Sequence, residues 1–134
     1  MILESSSRVA EADVWKLTAA LVSRDVNGAL AALHRALEEG EPEHKLLGLV
    51  GWQLRQVLEA LDFIRRGERD ADIQKRTRLR REALSAVKRM ARNNPPSAAV
   101  VMRQLATANR LMNSHRAGSR HVLESFVLEV ASGR

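Results

Sequence analysis

Apolar residues along this chain recur at steps of three and four, and no segment sustains an alternation of period two. That spacing buries one stripe of a helix, so the pattern predicts an all-α protein. The clearest stretch covers residues 25–61, DVNGALAALHRALEEGEPEHKLLGLVGWQLRQVLEAL. Within it Val26, Ala29, Leu30, Leu33 and Leu37 share a face, which predicts a helix over 26–39. Gly40 suits a left-handed C-terminal cap, because it carries no Cβ to clash. Pro42 suits the first turn of a following helix, where its missing N–H costs nothing. That helix, over 42–66, carries Leu47, Val50, Leu54, Val57, Leu58, Leu61 and Ile64 on its stripe, with Leu46 and Leu49 outside it. A helix apolar around most of its circumference is either central or partly covered by a partner. Trp52 and Phe63 have apolar neighbours and are expected in the core, with a subunit interface as the alternative. Gly48 and Gly51 lie inside the same helix, where each costs ~1 kcal/mol relative to Ala. Close approach of a neighbouring helix is the expected reason.

The flanking segments extend the pattern. Residues 1–9 read as a disordered start or a linker remnant, and a first helix is expected over 11–23 with Val14, Leu17, Leu21 and Val22 inward. A basic helix is expected over 73–92, with Asp70 or Asp72 as its N-cap. Asn93-Asn94-Pro95-Pro96 stops it, since proline disfavours helix in its predecessor. Ser97 then caps a helix bearing Val101, Leu105, Ala108 and Met112. A turn over 114–119 pivots on Gly118, and a last helix to about residue 131 presents Val122, Leu123, Phe126, Val127 and Val130. Short connections favour antiparallel neighbours. The expected architecture is one compact bundle of five to six antiparallel-packed helices over residues 10–132.

Composition narrows the class. The chain has 134 residues, 45% of them hydrophobic and 28% charged, as in ordinary soluble domains. Its aromatics are Trp15, Trp52, Phe63 and Phe126, so the core must be built of Leu, Val and Ala, which suits helix-on-helix packing. The absence of cysteine removes disulfides and thiolate metal sites and is consistent with a reducing, cytoplasmic setting. No run approaches the ~18 apolar residues of a membrane span. The start, Met-Ile-Leu-Glu-Ser-Ser-Ser, has neither the basic region nor the apolar stretch of a signal peptide. The net charge of +6 is concentrated: residues 65–92 hold eleven Lys/Arg against four acids, and the remainder of the chain is near balance.

Candidate chemistry is sparse. His34, His44, His115 and His121 lack the three- or four-residue spacing that would put two imidazoles on one helical face. No glycine-rich loop precedes a Lys-Ser or Lys-Thr pair, and no Gly-x-Ser-x-Gly elbow exists. Glu38, Glu39, Glu41 and Glu43 crowd a helix junction, where negative charge favours the N-terminal dipole of the next helix. The expectation is therefore no catalytic residue, no cofactor, no metal and no small-molecule substrate. The basic segment stands out: Lys75, Arg76, Arg78, Arg80, Arg81, Lys88, Arg89 and Arg92 could contact phosphates. They could equally meet an acidic protein partner or form a plain solvated face.

Several short patterns, in order, resemble a known family. They are Val14-Trp15-Lys16-Leu17 with Ala20-Leu21 and Arg24-Asp25, and the Gly40-Glu41-Pro42 corner. Next come Gln53 and Arg55 in an apolar helix and the run from Leu105 to Leu111. The set closes with His121 to Val130, containing Leu123-Glu124 and Phe126. Together they resemble the C-terminal collar domain of the δ subunit of the bacterial DNA polymerase III clamp loader. The resemblance covers nearly the whole chain. It implies a helical module that packs beside the collar domains of other clamp-loader subunits while a sliding clamp is loaded onto DNA. It also implies a piece of a longer δ subunit in the polymerase holoenzyme, with no chemistry of its own and DNA reached through the complex or the basic segment. A stand-alone helical nucleic-acid-binding protein using residues 65–92 is the alternative.

Overall fold

The computed structural model describes residues 2–114 and 118–133, with side chains described from residue 12 onward. Among the described residues seven helices run in order: α1 Ile2–Val22, α2 Val26–Glu38, α3 Glu43–Arg65, α4 Asp70–Thr77, α5 Arg81–Ala91, α6 Ala98–Ser114 and α7 Ser119–Ser132. No strand is present among the described residues. The all-α expectation holds, with one helix more than the upper end of the expected count.

α3 is the axis of the bundle and touches α1, α4, α5, α6 and α7. Its buried residues include Leu46, Leu47, Val50, Leu54, Val57, Leu58 and Phe63, which explains why its apolar positions wrap so far around. α2 packs between α1 and α7, and α6 lies along α7. Gly51 lets α6 close in: a Cβ there would stand 3.1 and 3.2 Å from the methyls of Leu105. Gly48 has no such neighbour and is exposed, so the close-approach expectation is met at one glycine and not at the other.

The corner between α2 and α3 forms at the expected place. Gly40 takes φ +91°, and its amide bonds the carbonyl of Leu37. Pro42 is not in the first turn as expected: it is the N-cap, extended at ψ 137°, and Glu43 opens the helix. Asp25 caps α2 by accepting from the Gly28 amide at 3.0 Å.

α1 begins at Ile2, so its backbone is helical ahead of the expected 11–23 span. Two further expectations need correction. Neither Asp70 nor Asp72 caps α4: Arg69 holds the N-cap position without a side-chain bond, and both acids lie in the first turn. The single basic helix over 73–92 is two helices, broken at Arg78-Leu79-Arg80. Ile73 and Thr77 are fully buried, but a continuous helix would bring Arg80 and Arg81 inward on the same stripe. Breaking the helix frees both arginines and lets Leu84, Val87 and Met90 of α5 take over the core face. His115 and residues 116–117 of the expected turn lie outside the described residues.

Candidate protein-interaction surface

The break between α4 and α5 is held by a compact set of bonds. Thr77 donates its hydroxyl to the carbonyl of Ile73 at 2.7 Å and accepts from the Leu79 amide at 3.4 Å. Gln74 donates to the Leu79 carbonyl at 3.3 Å. Arg78 takes the left-handed conformation, φ 60°, which closes α4 without glycine. A non-glycine residue held there stores on the order of 1 kcal/mol of strain, so surrounding contacts must determine it.

The eight basic residues singled out in the sequence separate into distinct environments. Arg76 lies over the Phe63 ring at 5.2 Å from its centroid. Lys88 reaches both carboxylate oxygens of Asp70, at 3.1 and 3.2 Å, and ties α5 to the start of α4. Lys75, Arg78, Arg80, Arg81, Arg89 and Arg92 are exposed and make no ion pair among the described residues. Their neighbours Arg65, Arg66 and Arg69 are partnered locally by Asp62 and Asp72. The free positive charge is thus narrower than the sequence run and centres on the α4–α5 joint and the outer face of α5.

Beside that joint lies a groove the sequence reading did not assemble. α1 contributes Val14 and Trp15, and α3 contributes Leu49, Trp52, Gln53 and Gln56. The joint adds Arg78, Leu79 and Arg80, with Glu82 at the start of α5. Behind the groove, fully buried Thr18 donates its hydroxyl to the side-chain Oε1 of Gln53 at 2.9 Å and links α1 to α3. Trp52 is 51% exposed, which corrects its expected place in the core. The reason is angular: Trp52 projects nearly opposite Val50, Leu54 and Val57, on the strip shared by Lys45, Gly48, Arg55 and Glu59. Phe63, by contrast, is buried as expected. A tryptophan on the polar strip of an amphipathic helix was the signal available in the sequence.

Other titratable groups serve the bundle. His34 of α2 and Glu124 of α7 meet at 3.0 Å, and this hydrogen bond, aided by Arg120, lowers the Glu124 pKa. Glu39 faces Asp13 of α1; hydrogen bonding to Asp13, loss of hydration and like charge raise its pKa. Asp13 is buried, and its Oδ2 has no hydrogen-bond partner among the described residues. Among the described residues, no group of three His, Asp or Glu could hold a metal ion, and no helix is long and apolar enough to cross a membrane.

The arrangement defines an all-α domain whose open features are surfaces: a basic corner and an apolar groove beside it. Its fold is similar to that of the Bacillus subtilis DNA clamp loader delta protein (YqeN), with a TM-score of 0.75 and 21% identity over 91% of this chain. This chain spans 36% of that protein's length. Residues 11–130 match the family described as DNA polymerase III delta subunit, C-terminal domain, and the chain belongs to that family. Comparison with curated proteins gives no match.

Proposed function

We propose that this chain is the assembly domain of a δ-like clamp-loader subunit, acting in cytoplasmic DNA replication by packing beside the corresponding domains of other clamp-loader subunits. The match of residues 11–130 to the δ C-terminal family carries the reading, and the similarity of fold supports it. The domain performs no chemistry on this reading. Its contribution to the polymerase holoenzyme is interface burial spread over helix faces. Leu111 and Leu128, at 41% and 43% exposure, offer apolar area of the kind that interface cores bury.

Native mass spectrometry of the chain mixed with the other clamp-loader subunits of its source, in moderate salt, tests this reading. A stoichiometric hetero-oligomer is expected; a chain that ignores those subunits would sink assembly through this domain.

The six unpaired cations near the joint and along α5 support a second reading, direct contact with DNA. It predicts binding to duplex or single-stranded DNA by the chain alone, weakening steeply as salt rises. Binding that is absent at low salt would remove it.

A further inference from the structure

The groove between α1, α3 and the α4–α5 joint has the composition of a seat for a polypeptide. Trp15, Leu49 and Leu79 are half-buried, packed against the core on one side and lining the groove on the other. Trp52 stands half in solvent on the α3 side. The lining cations, Arg78 and Arg80, both come from the joint, where Glu82 at the start of α5 is the one lining acid, so the groove's charge is local to the joint and net positive there. Gln53 and Gln56 of α3 also line it and offer amides rather than charge.

This asymmetry decides between occupants. A nucleic-acid strand carries a phosphate on every nucleotide and is bound by cations that track its backbone, with aromatic platforms for successive bases. Here half-buried Leu49 and Leu79 supply aliphatic surface alongside the tryptophans, and the charge is local. An amphipathic peptide has the matching distribution, with apolar side chains for the lining and carboxylates at one edge. Arginine suits that edge because its planar fork can take both oxygens of a carboxylate. Neither Arg78 nor Arg80 makes an ion pair among the described residues, so an arriving Asp or Glu displaces no existing partner. The bonds of Thr77 and Gln74 also hold the joint in place before anything binds, which lowers the ordering cost of docking.

We propose that this groove docks an acidic amphipathic segment of a partner protein. Its aliphatic or aromatic side chains lie against Trp15, Leu49, Trp52 and Leu79, and its Asp or Glu residues meet Arg78 and Arg80. The inference goes beyond clamp-loader assembly and does not depend on it.

Trp15 and Trp52 are the chain's only tryptophans, so their emission reports on the groove itself. The full chain is titrated with a short synthetic peptide in which Leu and Phe alternate with Asp and Glu. Calorimetry runs in parallel, and a thymidine oligonucleotide of equal charge is the competitor class. The expected result is a saturable shift in emission with the peptide. Arg78→Glu combined with Arg80→Glu should weaken it by at least about tenfold. Arg89→Glu with Arg92→Glu, on the outer part of α5, should leave it nearly unchanged, and Trp52→Ala should reduce the calorimetric affinity while the melting curve stays cooperative. Absence of peptide binding overturns the proposal. So does equal weakening by both charge pairs, or a response to the oligonucleotide that matches or exceeds the peptide's.

Discussion

Two glycines one turn apart on α3 provide a test of the packing with its control built in. Gly48 is exposed, and a Cβ there would meet nothing within 4 Å. Replacing it with Ala should return the full difference in helix propensity, ~1 kcal/mol. For a chain of this length that corresponds to a rise in Tm of about 3–4 °C. Gly51→Ala gains the same propensity but pushes a methyl to 3.1 Å from Leu105, whose own exposure is 2%. Leu105 has little room to turn away, and overpacking of a filled core costs ~1–3 kcal/mol. Gly51→Ala should therefore lie between neutral and about 2 kcal/mol destabilising, separated from Gly48→Ala by ~1–3 kcal/mol. Urea unfolding measures both, with an unchanged m-value showing that the denatured state is the same. In a Leu105→Ala background the clash is gone, and Gly51→Ala should stabilise as Gly48→Ala does. If the two alanine variants agree within ~0.5 kcal/mol in the parent chain, the close approach of α6 at Gly51 is refuted.

Three further outcomes follow from single contacts. Thr77→Val keeps the buried volume but removes the hydroxyl that bonds Ile73 and Leu79; it should cost ~1–2 kcal/mol in urea unfolding and speed amide exchange at Leu79. Glu39 has a pKa raised above 4.5, so the folded chain holds that proton more tightly than the unfolded one; this contact's stability is present below 4.5 and is lost as pH rises through the folded value. Asp13→Asn replaces the facing acid with an amide donor and should raise Tm at neutral pH, a gain that shrinks on acidification in a Tm-versus-pH series. Glu124 is the opposite case: its pKa is lowered by His34, so its contribution is present above 4.5 and lost as pH falls through the folded value. Glu124→Gln should flatten that acid limb, and an unaltered Tm-versus-pH profile would show that the bond between α2 and α7 contributes nothing.

Local rules account for much of the outcome. The stripe from Val26 to Leu37, the left-handed Gly40 and the helix-stopping Pro95-Pro96 all act through residues within a turn or two of one another. All-α class, the α2–α3 corner and the long apolar α3 were therefore legible from spacing alone. The division of residues 73–92 was not, because residue types favour helix throughout the run. What breaks it is whether Arg80 and Arg81 could be buried, and that depends on α3 packing against both halves. The same holds for Arg76, placed over Phe63 of another helix, and for Lys88, drawn to Asp70. Trp52 is the opposite case: helical spacing alone puts it on the polar strip of α3, because its apolar neighbours in sequence point away from it around the helix.

The sequence by itself determined where helices form, which stripes they bury and where positive charge accumulates, because propensity, capping and periodicity are short-range properties of the chain. Tertiary packing alone decided which cations keep an open face and which glycine is needed for close approach. It also brought Trp15, Trp52 and Leu79 to one groove. These depend on angles and distances between helices that no local pattern encodes.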